Sequence, residues 1–269
     1  MARIPGKHFV RNLISGRTLL FQLVQRDFKQ RFVGSAAGWV WGLIHPLVLL
    51  ASYTFVFQYC LGQKAPPGSG TDSYTVYLFC GFLPWLLFQD TVIRSSSCLL
   101  DHSNLITKTV FPSEMVPISI FLSSLMSHLL ALSIVIVVVG VKTGAVSLMV
   151  FLLPLYMLLL GLFAIGIGWI VSSLQVYLRD TAQVLSVVMT FWFWITPIFI
   201  SEQQVPARFR FLMRLNPLAY VVNAYRDRLL SYSLPTLPEL AILTTYALAA
   251  FVLGGLFFRH LKRGFADVL

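Results

Sequence analysis

Long apolar runs alternate with short polar connections along most of the chain. Six of them reach the roughly 20 apolar residues that a bilayer core demands of a helix: Gly38–Leu61, Tyr74–Ile93, Pro117–Val139, Ala145–Leu174, Ala182–Ile200 and Leu237–Phe258. The fourth has length to spare for tilting or for emerging from the membrane. Ahead of the first run, Leu20, Val24, Phe28 and Phe32 recur at four-residue spacing with Phe21 beside them. Gln22, Gln25, Arg26, Lys29 and Gln30 occupy the other directions. That pattern suits a helix lying in the headgroup plane, apolar face down; a cytosolic helix packed on a partner would carry the same signature. The expected architecture is an all-α polytopic membrane protein with six transmembrane helices, an N-terminal amphipathic interfacial helix, and an external re-entrant helical hairpin before the last span. It forms one domain over residues 1–269: a cytosolic or interfacial segment (1–36), spans one to five (37–200), the hairpin (201–236), span six (237–258) and a cytosolic tail (259–269). No cleavable signal peptide is expected, because the first long apolar run begins only near residue 38.

Composition narrows the class further. The chain is 57% hydrophobic and 11% charged, whereas a soluble domain carries about 25% charged residues. Its net charge of +10 would point to nucleic acid in a soluble protein. In a membrane protein, cytoplasmic positive charge and anionic headgroups account for it, and no nucleic-acid partner is needed. Arg3, Lys7, Arg11, Arg17, Arg26, Lys29 and Arg31 precede the first span, and Arg259, Lys262 and Arg263 follow the last. With six spans, both termini are then cytoplasmic, as are the loops holding Lys108 and Arg179. The outer loops at 62–73 and 140–144 carry only Lys64 and Lys142.

One outer connection breaks the rule, with Arg208, Arg210, Arg214, Arg226 and Arg228. A seventh span through residues 206–230 is not tenable. Each central arginine costs about 2.5–3.5 kcal/mol, against a return of about 0.3–0.6 per apolar residue. Two half-length pieces broken at Asn216–Pro217 fit better, as a re-entrant or interfacial hairpin. Such backbone must be buried in protein or line a wet cavity. Asn216, Pro217 and Arg226 are the candidate external gate, and its arginines are expected to face headgroups, acidic partners or a wet path.

Several chemistries are missing from the sequence. It has no G-x-x-x-x-G-K-[ST] run, so no recognisable nucleotide site. Cys60, Cys80 and Cys98 are too scattered for a metal site, although Cys60 and Cys80 both fall near the outer face. No metal or catalytic residues are expected. His128, inside the third span, reads equally as a functional group or as a neutral histidine bonded to a neighbouring helix. Asp90 and Arg94, four residues apart, can pair on one helix face.

The loop after the second span reads DHSNLITKTVFPSEMVP from Asp101 to Pro117. It predicts a short helical piece stopped before Pro112, showing Leu105, Ile106 and Phe111 to the cytosol beside Lys108. Such an apolar knob with a charge suits docking into a groove on another protein. The run N-L-I-x-K-x-x-F-P-x-E-x-x-P resembles the coupling segment of type-two ABC exporter permeases that move polysaccharides (O antigen, capsule or teichoic acid). The stretch from Phe28 to Phe57, with Gly34, Ser35, Gly38, Trp39 and Pro46, resembles that family's approach to span one. VYLRD at Val176–Asp180, TPIF at Thr196–Phe199, and LNPL at Leu215–Leu218 with Arg226 resemble further family elements in the same order. Ala36-Ala37-Gly38 stands where many relatives have Leu-Gly.

The resemblance implies a homodimeric permease joined to two copies of a separate ATP-binding subunit, in the bacterial cytoplasmic (inner) membrane. ATP and Mg would be bound by that subunit, and this chain would hold no cofactor and not be an enzyme itself. The cargo would be lipid-linked polysaccharide. Asn104, Leu105, Ile106, Lys108, Phe111 and Glu114 would couple to the ATPase, with Arg179 and Asp180 as a second contact. Arg26, Lys29 and Arg31 are placed to meet phosphates of a lipid anchor or of ordinary lipids. Trp39, Trp41, Tyr53, Phe57, Tyr59, Phe191, Trp192 and Trp194 are candidates to stack on sugars along the path, or to form interfacial belts. An exporter of drugs or small lipids is the alternative. A membrane enzyme of lipid-linked glycan synthesis is disfavoured, because the expected spans hold few carboxylates, Asp90 in the second and Glu239 at the very start of the sixth.

Overall fold

The computed structural model describes residues 16–31, 33, 34, 38–108, 111–231 and 233–268. Arg3, Lys7, Arg11, Phe32, Ser35, Ala36, Ala37 and the Trp39 side chain lie outside the described residues. Every regular element among the described residues is helical. They are α1 Arg17–Gln30, α2 Trp41–Thr54, α3 Tyr74–Asp101, α4 Ser103–Lys108, α5 Met115–Thr143, α6 Leu153–Tyr177, α7 Thr181–Ile195, α8 Arg210–Arg214, α9 Pro217–Leu230, α10 Leu237–Leu261 and α11 Phe265–Val268.

Five of these helices, counting short extensions of other pitch, are long and apolar enough to cross a membrane: Trp41–Cys60, Tyr74–Asp101, Met115–Thr143, Leu148–Tyr177 and Leu237–Gly264. The expected run Ala182–Ile200 is a full helix only as far as Ile195. Thr196 precedes a proline and is extended, because the proline ring disfavours helical geometry in the residue before it. At 15 residues, α7 is about 22 Å long, shorter than the hydrocarbon core.

Helix α3 is the centre of the fold. Most of its side chains are buried, and it packs against α5, α6, α7 and α9. It also runs two turns beyond the expected Ile93: Arg94 to Asp101 remain in helix, with Ser95, Ser96, Cys98 and Leu99 buried against the bundle. Helix α5 stops at Gly144, whose left-handed φ of +76° suits a residue without Cβ. Helices α6 and α10 approach so closely that glycines face backbone across the contact.

Helix α1 departs from the expected arrangement. Leu23 is buried, Leu20 rests on the core, and the helix packs against α5. Part of its apolar side therefore meets protein, while Phe21 stays exposed. All three cysteines are free, with Cys60 exposed and Cys80 and Cys98 buried.

The bundle has two distinct ends. At one, α4 and the chain around Glu114 lie with α11 and the end of α6; the resemblance would make this the coupling end. At the other, α9 meets the start of α3 and the turn after α7; this is the hairpin end.

Candidate functional site

A groove of about 760 Å³ opens between α2, α3, α5 and α7. Trp41, Leu49, Tyr53, Phe82, Phe193 and Trp194 form its apolar wall, and Arg31, His45, Gln89, Asp90, Ser124, Ser127 and His128 its polar one. Of the aromatic candidates, Trp41, Tyr53 and Trp194 therefore come together on one surface. The rings are set by mutual contact. Tyr53 meets Phe82 edge-on at 5.6 Å and Phe199 at 5.0 Å, Phe57 stacks on Phe199 at 4.5 Å, and Trp194 stacks on Phe199 at 5.3 Å. Edge-on and offset contacts of this kind hold ring faces in place, so the wall is a preformed surface. Tyr59 and Phe191 point away and are exposed. Trp192 turns inward, where its Nε1 donates to Asn216 Oδ1 at 2.9 Å.

The charged wall is a neutral lattice of two Asp and two Arg from α1, its C-terminal residue Arg31, and α3. Arg31 donates to Asp90 at 2.8 Å and to the Ser124 hydroxyl at 2.8 Å. Ser124 itself donates to Asp90 at 2.6 Å, and Arg94 binds Asp27 at 2.5 Å. The expected Asp90–Arg94 contact is present but long, at 3.8 Å. Arg31 is thus not a free phosphate ligand: it is committed to Asp90 and Ser124. Pairing is what makes charge tolerable at this depth. Arg26 and Lys29 stay exposed. Replacing Asp90 with Asn should loosen α1 from α3 by about 1–3 kcal/mol. In membranes, trypsin should then cut at Arg26 and Lys29 about tenfold faster. An unchanged cutting rate would show that the lattice does not hold α1.

His128 borders the groove and also contacts the hairpin, since its Nε2 hydrogen-bonds the buried Tyr225 hydroxyl of α9 at 3.0 Å. At the hairpin end, Asn216 caps α9. Its Oδ1 accepts from the Leu218 N–H at 3.0 Å, and its Nδ2 donates to the Thr196 hydroxyl at 3.0 Å. Pro217 occupies the first turn, where its missing N–H costs nothing.

Of the five arginines, Arg210 is half-buried and donates to the Val205 carbonyl at 2.9 Å, and the other four divide into two groups. Arg208 and Arg214 are exposed, with Arg214 paired to Glu202 at 2.9 Å. Arg226 and Arg228 are buried. Contrary to expectation, Arg226 faces neither headgroups nor an acid. It donates to the carbonyls of Pro197 at 2.6 Å, Ile198 at 2.5 Å and Tyr77 at 3.3 Å. Its guanidinium also lies 3.8 Å from the centre of the Tyr77 ring. Gly81 makes room for it: a Cβ there would sit 2.5 Å from a guanidinium nitrogen. Arg228 binds the Ser233 carbonyl and hydroxyl and the Tyr156 hydroxyl.

At the coupling end, Asn104 and Lys108 are exposed on α4. Leu105, Ile106 and Phe111 are half-buried, and Ile106 and Phe111 rest against the core. Glu114 is ion-paired to Lys262 near the C-terminus, so its carboxylate is already engaged within the chain. Arg179 and Asp180 form an exposed turn. Gln175 braces that turn, donating to the Arg179 carbonyl at 2.8 Å and accepting from the Ala182 N–H at 2.7 Å.

An apolar bundle with a preformed groove and a wall of paired charges has the parts of a membrane transport subunit. The sequence of residues 18–230 matches the family of ABC-2 type transporters. The chain belongs to the ABC-2 type transporter family. It is 27% identical over 261 residues to the O-antigen export system permease protein RfbA of Myxococcus xanthus, covering 96% of this chain and 98% of that one. An O-antigen export system permease protein RfbA of Klebsiella pneumoniae is 28% identical over 252 residues, covering 93% and 95%. The polysialic acid transport protein KpsM of Escherichia coli is 22% identical over 207 residues, covering 76% and 78%.

The family match runs from α1 through α9, so it takes in the groove, the charged lattice and both halves of the hairpin. Some site residues of this ABC-2 chain escape a linear reading. Phe82 and Phe199 give no sign of their shared contact with Tyr53, because they lie 117 positions apart. Asp27 falls on the polar side of α1 and looks solvated. Ser124 and Ser127 left a faint signal, two hydroxyls three residues apart in an apolar span.

Proposed function

We propose that this chain is the permease subunit of an ATP-driven exporter that moves lipid-linked polysaccharide out of the cytoplasm across the bacterial inner membrane. Two copies form a homodimer joined to two copies of a separate ATP-binding subunit. The observation that carries this reading is the likeness, over nearly the whole chain, to permeases named for O-antigen export. The groove supports it: aromatic faces can stack on sugar C–H groups without demanding one particular sugar. Residues 41–60 and helix α7 also leave Trp41, Phe55, Tyr59, Val187 and Phe191 exposed, an apolar surface that a second copy would cover.

In this reading both termini are cytoplasmic, and the coupling end faces the ATP-binding subunit. Helix α7 with residues 196–200 makes the sixth, short crossing, and residues 201–236 form a re-entrant hairpin on the outer side. Asn104, Lys108, Arg179 and Asp180 are the exposed contacts available to the ATPase. Arg26 and Lys29 are the residues left to meet lipid phosphates, while Asn216, Pro217 and Arg226 hold the outer closure.

The test is a reconstituted complex in which ATP hydrolysis is measured with a lipid-linked glycan or with hydrophobic drugs. Stimulation by the glycan supports the proposal; stimulation by drugs or short lipids alone would move the chain to that other class of exporter. Lys108→Glu reverses an exposed charge at the docking segment. It should lower stimulated hydrolysis about tenfold, equivalent to about 1.4 kcal/mol of coupling, with membrane insertion intact. Normal assembly and turnover in that variant would rule out the docking assignment.

A further inference from the structure

The acidic residue of the coupling run does not point outward. Glu114 pairs with Lys262, which lies just beyond α10. Its backbone carbonyl accepts from Trp169 Nε1 at 3.0 Å. Trp169 is buried in α6 and packs on Phe251 and Phe258 of α10, at ring separations of 4.9 and 6.3 Å. The chain after Lys262 then closes back. Phe265 is buried against Phe258 at 5.4 Å and Tyr177 at 6.2 Å. The Tyr177 hydroxyl donates to the Leu261 carbonyl at 2.9 Å, and α11 packs against α4. A Cβ on Gly264 would sit 2.6 Å from the Tyr177 hydroxyl, so the tail is fitted to this seat.

We propose that Glu114 and Lys262 form a lock that ties the docking segment to α10, making both positioning residues for coupling. This rests on the reading that an ATP-binding subunit presses on α4. Covalent connection carries such a push from α4 into α3 and α5. Helix α10 is remote in sequence and packs chiefly on α6, so it needs a separate link. The Glu114–Lys262 pair and the aromatic stack beneath it supply that link. The lock also explains why the run carries an acid at Glu114: a docking contact has no need of a carboxylate turned into the chain.

The test uses the full chain in two settings. In membranes holding the permease alone, Glu114→Gln should speed tryptic loss of the tail at Lys262 and Arg263 about two- to fivefold, the range spanned by partly exposed ion pairs. In the complex with its ATP-binding subunit, Glu114→Gln or Lys262→Gln should lower the ratio of substrate-stimulated to basal ATPase by a similar factor. Basal activity and recovery of the complex should stay unchanged. The exchanged pair, Glu114→Lys with Lys262→Glu, should restore the ATPase ratio and the native cutting rate at Arg263, the tail site that both chains share. Unchanged tail cleavage in Glu114→Gln would overturn the lock, as would an exchanged pair no better than either single variant. Failure of the native chain to bind any ATP-binding subunit would instead defeat the partner reading, with the cleavage result still standing on its own.

Discussion

Arg226→Ala is expected to destabilise the folded chain by about 2–4 kcal/mol, whatever its role in transport. The side chain is buried and holds three backbone carbonyls from two distant parts of the chain. Removing it strands the Pro197 and Ile198 carbonyls in a turn that makes no helical bonds with them. A buried acceptor left without a donor costs about 1–3 kcal/mol, and the contact with the Tyr77 ring goes as well. Against this, the variant no longer desolvates a cation, which is why the net falls below the sum of the parts. Lysine should not rescue, because a single ammonium cannot reproduce the planar fork that spans two carbonyls. Gly81→Ala should move stability in the same direction from the other side, since its Cβ would displace the guanidinium. The measurement is the thermal midpoint in detergent, read beside export in cells. A wild-type midpoint with export abolished would mean that Arg226 acts on cargo and is not a pin for the hairpin.

The second large effect is a contrast between neighbours. Gly254→Ala should lower stability by about 1–3 kcal/mol or more, while Gly255→Ala should be neutral or slightly stabilising. A Cβ on Gly254 would sit 2.2 Å from the Gly166 carbonyl oxygen, and one on Gly166 would sit 2.3 Å from that of Ala250. Both obstacles are backbone, so α6 and α10 would have to separate. Small residues at such crossings let membrane helices approach and gain dispersion contacts. A Cβ on Gly255 would meet only a Trp169 ring atom at 3.4 Å, an ordinary contact, and alanine is the better helix former by about 1 kcal/mol. Protease resistance and thermal midpoint of the two variants decide it. Equal behaviour would mean that the α6–α10 crossing is not where the structure puts it.

The same contrast shows how far a linear reading reaches. Gly254 and Gly255 are indistinguishable in sequence, as are Arg228 and Arg208, yet one of each pair is buried and the other is not. Lys262 belonged to a basic tail that needed only to sit on the cytoplasmic side, and Glu114 looked like a docking contact. Their pairing joins residues 148 positions apart, a separation that no local pattern encodes. Residues at Asn216–Pro217 behaved otherwise. Asparagine before proline is a helix start in itself, because the side chain caps the first turn and proline tolerates it. Only the bond from Trp192 and the one to Thr196 needed the fold.

What the sequence determined alone is the class of molecule and the positions of its long helices. Both follow from local quantities: run length against bilayer thickness, the energetic penalty of charge in hydrocarbon, and the breaks that proline imposes. Tertiary structure decided which polar and aromatic groups meet. Arg31 finds Asp90, Arg226 finds a turn of carbonyls, and Phe199 gathers the groove's rings. These contacts depend on helix rotation and crossing, which are set by packing over the whole bundle and so cannot be read from any one stretch of the chain.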